Sequence, residues 1–248
     1  MIFGRKNDEA VEADVEADAS EDLTVLEEAL EADDSDSQTV ADSGESDDAS
    51  AWAEMDAAFD REWGPFDFEE VDLEADDVKR LDLGTLVVTP FEKMTMQLQV
   101  DKAKERVQAI LVADGASALE VAVFAGPVRT SLLPEIREEI IAATEREKGQ
   151  VQVVRGPFGA ELRRRLPVTD PKGNPAIHVS RTWLVDGPGW VLRGVLMGKA
   201  ALNPKDEEAQ LTLFEFFSNL VVRRGTKPAA PGSLLPMSVP TAENQTEE

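Results

Sequence analysis

The first 78 residues carry 29 acidic side chains against 3 basic ones, while the remaining 170 carry 21 against 22. The chain's net charge of −25 therefore sits entirely at one end. A segment that repels itself and has Phe3 as its one aromatic ring up to residue 50 cannot offset the entropy of ordering. Residues 1–50 thus read as a disordered acidic arm, with room for a transient helical turn around Leu23 to Leu30. Within it Asp34, Asp36, Asp42 and Glu45 have the spacing of calcium-loop ligands. Thr39 stands where that loop needs a glycine, and chance accounts for the match in so acidic a stretch.

From residue 51 the composition changes. Trp52, Met55, Phe59 and Trp63 recur at steps of three and four, an apolar stripe on a helix that Gly64-Pro65 ends. Phe66, Phe68, Val71 and Leu73 then follow in an extended, acidic setting. Two readings stay open for residues 51–78. Either the segment packs on its own core, or Trp52, Met55, Phe59, Trp63 and Phe66 contact the groove of a protein partner. In both, Trp52, Phe59 and Trp63 are expected to face one surface.

Residues 79–225 have the length of a single domain. Strands are expected at Leu83–Thr89, Met94–Val100, Val107–Val112 and Leu119–Phe124, with a turn at Asp114-Gly115. A helix follows from Pro134, its inner face marked by Ile136, Ile140, Ile141 and Thr144 and its end by Gly149. The second half repeats this grammar. Strands are expected at Val151–Arg155, Ala160–Leu166, Ile177–Val185 and Trp190–Met197, the last two joined by Asp186-Gly187-Pro188-Gly189. A closing helix is expected from its cap Asn203 to Arg223-Arg224-Gly225, with Leu213, Phe214, Phe217, Leu220 and Val221 inward. Residues 226–248 read as a Pro-rich flexible tail. Short turns between neighbouring strands imply an α+β fold: about eight mostly antiparallel strands with two main helices on one face. The grammar also admits a duplicated four-strand-plus-helix unit.

The chain has no cysteine, which removes disulfides and thiolate chemistry. Its start leads straight into acidic residues, and its most apolar window, Ala109 to Val128, reads as two strands rather than a membrane span. A cytoplasmic protein away from membranes is expected.

Little catalytic chemistry is on offer. His178 is the one histidine, Ser117 lacks the second glycine of a nucleophile elbow, and Gly156-Pro157-Phe158-Gly159 has neither spacing nor lysine for phosphate. No catalytic residue, metal or cofactor is expected. The arginines carry more. Arg164, Arg181 and Arg193 fall on otherwise apolar stripes of three consecutive strands, and Arg181 and Arg193 are expected to lie close together. Each needs a partner: an internal carboxylate such as Glu161 or Asp186, the ring face of Trp183 or Trp190, or an anionic ligand or acidic peptide. Nucleic acid does not fit, because Arg163-Arg164-Arg165 alternates across a strand and the arm repels phosphates. An interaction or regulatory module is the first functional reading, an anion sensor using the three arginines the second, and a carboxylate-and-arginine enzyme the third.

Several segments together resemble an actinobacterial family, the domain of unknown function 3710. They are Gly64-Pro65-Phe66-Asp67, Leu81-Asp82-Leu83-Gly84, Pro134-Glu135-Ile136-Arg137-Glu138-Glu139-Ile140, Gly156-Pro157, Glu161-Leu162-Arg163, Val185-Asp186-Gly187-Pro188, Trp190-Val191-Leu192-Arg193-Gly194-Val195 and Val221-Val222-Arg223. The resemblance spans about Gly64 to Pro236. It implies a bacterial cytoplasmic protein with a variable charged arm before a shared domain, and no assigned activity or catalytic residues.

Overall fold

The computed structural model describes residues 45–92, 94–101 and 106–239. The acidic arm through residue 44, with its Asp34, Asp36 and Asp42 spacing, and residues 240–248 lie outside the described residues. In chain order come α1 (Glu45–Ala57), β1 (Phe66–Asp67), β2 (Leu81–Asp82), β3 (Leu86–Val88), β4 (Thr95–Asp101), β5 (Arg106–Asp114) and β6 (Ser117–Ala125). Then follow α2 (Leu133–Arg146), β7 (Gln150–Gly156), β8 (Gly159–Thr169), β9 (Pro175–Gly187), β10 (Trp190–Gly198), α3 (Lys199–Leu202), α4 (Glu207–Ser218) and β11 (Val221–Val222).

The fold is α+β. Seven strands form an antiparallel sheet in the order β4-β5-β6-β10-β9-β8-β7, and a small sheet has the order β1-β11-β3-β2. The central strands are apolar at both parities, so neither face of the large sheet can be left to water. Leu119, Val121 and Val123 of β6 join Trp183, Leu192 and Leu213, Phe216 and Phe217 of α4 on one face. Ala122 and Phe124 join Leu162, Leu184 and Leu133, Ile136 and Ile140 of α2 on the other. The two main helices therefore cover opposite faces, not the single face expected from the order of elements. Leu83, Leu86, Val88 and Val222 of the small-sheet region share the α4 side. The four-strand-plus-helix unit is not repeated: the first half gives the large sheet three strands and sends β2 and β3 to the small one. At Gly194 a Cβ would lie 2.6 Å from the Phe217 ring, so the missing side chain is what lets α4 settle onto β10.

Helix ends differ from expectation in two places. The left-handed residue closing α2 is Lys148, at φ 61, rather than Gly149. The Lys148 and Gly149 amides donate to Glu145 and Thr144 carbonyls, the Schellman pairing, while a Cβ on Gly149 would meet Leu166 at 2.6 Å. The closing helix is capped by Asp206, whose carboxylate accepts from the Ala209 amide, and Asn203 instead ends α3. It stops at Ser218, so Val221 and Val222 leave the helix and pair with β1 and β3.

Both flanking segments belong to the core. β1 pairs with β11, so the large domain does not begin at residue 79. At the other end, β5 and β6 pair only across Ile110–Asp114 and Ser117–Val121. Beyond that they part, and residues 233–238 fill the gap. The Leu235 amide donates to Val123, Met237 to Val107 and Ser238 to Leu83, while Leu235 and Met237 are buried. This stretch of the expected flexible tail is thus fixed to the sheet by two isolated β-bridges, Phe124 with Leu234 and Val107 with Met237. Leu235→Ala is accordingly expected to cost about 2–4 kcal/mol, from lost burial plus a cavity. Urea unfolding of the full chain measures it, and a change under about 0.5 kcal/mol would show the segment to be free.

Candidate functional site

Register decides where each arginine goes, since directly paired residues share a face. Arg164 stands opposite Ser180, Arg193 opposite Leu184 and Ala122, and Arg181 opposite Leu196 and Arg163. Arg164 and Arg193 thus lie on the α2 face and Arg181 on the α4 face. The structure does not bring the three together, and Arg181 and Arg193 are separated by the sheet. Arg164 donates from Nε to Thr144 Oγ1 at 2.9 Å beneath α2. Arg193 donates to Glu120 Oε1 at 3.1 Å and lies over the Phe124 ring. All three are buried.

The Arg181 guanidinium is committed. Its Nε and Nη2 fork onto the two oxygens of Glu161 at 2.9 and 2.7 Å, and Nη1 reaches the Gln210 side-chain oxygen and the Ala200 carbonyl. Trp183 Nε1 donates to the same carboxylate at 2.8 Å, as does Arg163 Nε. Burial alone would push the Glu161 carboxyl up. The hydrogen bonds from Arg181 and Arg163, the Arg181 charge and the Trp183 N–H outweigh it and hold the group below the ordinary glutamate range.

Two guanidinium groups on one carboxylate leave a positive charge over. The Arg163 side chain makes no other polar contact among the described residues and is 36% exposed. Two residues on, Arg165 is exposed and pairs with no carboxylate among the described residues. Gln152 stands opposite Arg163, and Gln150 and Val179 opposite Arg165. Ile177, 67% exposed, continues the same face. Arg163 and Arg165, which the sequence reading passed over for Arg164, are the arginines that reach solvent on the α4 side. The signal was parity: Glu161, Arg163 and Arg165 share a face, and only one acid serves them.

The aromatic segment divides. α1 ends at Ala57, short of Trp63. Asp56 is its anchor, taking Arg137 Nη2 at 2.6 Å and the Ala160 amide at 2.9 Å. Trp52 and Met55 are half-buried, with the Arg137 guanidinium 5.8 Å from the Trp52 ring centre. Phe59 meets Phe158 edge-on, inside a ring cluster with Trp183, Phe214 and Phe217. Phe66 is half-buried in β1. Trp63, on a separate turn, is 79% exposed, so it does not share a surface with Trp52 and Phe59. Residues 56–61 wall a cleft of about 400 Å³ against Leu133, Phe158, Leu184 and Asp186. Its charged lining is Asp56, Asp60, Asp186 and Arg61, the last held by Glu70 at 2.7 Å, so it offers nothing to an anion. His178 is half-buried on β9, and no group of three or more acidic or histidine side chains among the described residues could hold a metal.

Glu161→Gln removes the counter-charge of a buried pair and is expected to cost about 3–5 kcal/mol at pH 7. With a folded-state pKa below the unfolded value, the carboxylate stabilises the fold above about pH 4.3, and that contribution fades as pH falls through the folded pKa. Denaturant midpoints from pH 7 to 3 should therefore fall less steeply in the variant. Parallel acid limbs would show Glu161 to be uncoupled from the fold. Asp56→Ala should likewise free α1, read as faster hydrogen exchange across 48–57.

Among functionally curated proteins none matches the chain. A crystal structure of a protein from Bacteroides thetaiotaomicron VPI-5482 superposes at TM-score 0.35 and 9% identity, covering 58% of this chain. The chain spans about half of that protein's length, 47%. The solution structure of cyanobacterial PsbP (CyanoP) from Synechocystis sp. PCC 6803 gives 0.34 and 10%, covering 61% of this chain and 97% of that one. No helix among the described residues is long and apolar enough to cross a membrane. The family model described as Protein of unknown function (DUF3710) matches residues 64–246, and the chain belongs to that family.

Proposed function

We propose that the chain is a cytoplasmic protein-interaction module whose face around Arg163 and Arg165 receives an acidic, aliphatic segment of a partner protein. One observation carries this reading. Two guanidinium groups, two residues apart on β8, carry positive charge to solvent beside the exposed apolar Ile177: Arg165 pairs with no carboxylate among the described residues, and Arg163 has only a share of the Glu161 carboxylate that Arg181 grips with a fork. Guanidinium groups recognise carboxylates through charge-assisted hydrogen bonds, each worth about 1.5–3 kcal/mol where water is partly excluded. Gln150 and Gln152 add neutral donors and acceptors, and Ile177 with Val179 offers apolar area between charges. The site is built on paired strands, so its backbone spacing is fixed before binding.

A small-anion sensor is the second reading, and it draws on the same two side chains rather than on Arg164, Arg181 and Arg193. The two readings separate by probe. A synthetic peptide of alternating glutamate and valine should bind the full chain, and binding should weaken as salt rises from about 0.05 to about 0.3 M, which roughly halves the Debye length. Replacing both Arg163 and Arg165 by Ala should lower affinity about tenfold or more, while Lys172→Ala at the β8–β9 tip leaves it unchanged. Phosphate and sulfate binding as tightly as the peptide would favour the sensor. Peptide affinity indifferent to the double replacement would remove the site.

A further inference from the structure

The occupant of this face can be named from its geometry. On a strand, residues two apart lie about 6.7 Å apart on one face, so the backbone positions of Arg163 and Arg165 stand at that spacing. A complementary ligand is an extended segment with acids at every second position and small or apolar residues between. The longest such run in the chain lies near its start, while in a shorter one, Asp72-Leu73-Glu74-Ala75-Asp76, Asp76 is already held by Arg80. Val11-Glu12-Ala13-Asp14-Val15-Glu16-Ala17-Asp18 is a tandem repeat in which the four acids alternate strictly with alanine and valine. Drawn out as a strand, it places Glu12, Asp14, Glu16 and Asp18 on one side and Ala13, Val15 and Ala17 on the other.

We propose that Val11–Asp18 docks in extended form on the Arg163–Arg165 face of its own chain, so that a partner must displace it. The inference rests on the interaction reading above and supplies its first ligand. Reach is not limiting. A random chain of the 27 residues from Asp18 to Glu45 spans about 30 Å root-mean-square, and α1 is anchored by Asp56 to Ala160 at the start of β8 itself. A tether of that length holds the segment at an effective concentration on the order of a millimolar. Even a weak contact, with an intrinsic Kd of about 0.1 mM, then fills the face about nine-tenths of the time and weakens a competing ligand roughly tenfold.

The alternating glutamate–valine peptide is titrated into three full-length proteins. One is unaltered, one carries E12Q, D14N, E16Q and D18N, and one carries the charge-matched changes E27Q, E28Q, E31Q and D33N. Self-occupancy predicts that the first set tightens peptide binding about tenfold and that the second set does not, with R163A and R165A abolishing the gain. Equal tightening by both sets would mean diffuse repulsion by the arm and would overturn the proposal. Binding that is the same in all three, yet lost with R163A and R165A, would overturn self-occupancy and keep the interaction face. No binding in any of them would bring down both.

Discussion

The carboxylate of Glu161 is the point on which the α4 side of this molecule turns. Arg163 and Arg181 are directly opposed across β8 and β9, a placement that repulsion would forbid without an anion between them. Glu161 supplies it and takes in addition the Trp183 N–H, while Arg181 reaches on to Gln210 of α4 and to the Ala200 carbonyl of α3. One buried anion thus fixes two strands, seats two helices and orients the tryptophan that meets the aromatic cluster. Arg181 is held inward by both oxygens, so Arg163 is left with a single bond and its free end outward. The positive surface is a consequence of how the interior is neutralised.

The second constraint is that the large sheet is apolar on both faces. Among the described residues α2 and α4 are the helices that cover the two faces, one on each, and neither alone covers a seven-stranded sheet. Segments that look dispensable are drawn in to finish the work. Phe59 joins the ring cluster on the α4 side, Asp67 accepts the Trp190 N–H at 2.6 Å, and Leu234, Leu235 and Met237 close the opening between β5 and β6. The segment Gly64-Pro65-Phe66-Asp67 makes sense in this light. Asp67 is buried, caps the turn after it and holds the indole of β10, so a short acidic stretch is tied to the centre of the sheet.

Much of the fold was legible in the sequence. The strands from 150 to 198, the β5–β6 pair and α2 lie within a few residues of their expected bounds, because alternation, paired turns and Pro134 each acted locally. The opposite placement of the helices was also signalled. Val121 to Ala125 is a continuous apolar run, the pattern of a strand buried on both faces. The separation of Arg181 from Arg193 could have been counted. The loop is Pro188-Gly189, Arg181 lies six residues before Gly187 and Arg193 three after Trp190, and unequal parity means opposite faces. What could not be read were the long-range contacts. That Leu235 finds the gap beside Val123, or that Asp56 finds Arg137, depends on pairings some hundred residues apart for which the chain offers no local cue.

These points bear on why an acidic arm accompanies a domain whose own charge is close to neutral. Residues 79–248 have 22 basic and 21 acidic side chains, so no general field draws the arm inward. At physiological salt the reach of an exposed charge is about 8 Å, and attraction exists only where guanidinium groups stand free of their own carboxylates. On the α4 side that condition holds at Arg165, holds in part at Arg163, whose single bond is to a carboxylate shared with Arg181, and fails at Arg181, for a reason set in the core by Glu161. A carboxylate added near Arg163 by mutation would silence the face without touching the sheet, and removing Glu161 would enlarge the charge while loosening the strands that carry it. Site strength and fold stability are coupled through one side chain, which sets an upper limit on how positive this face can become while the β8–β9 pair stays closed.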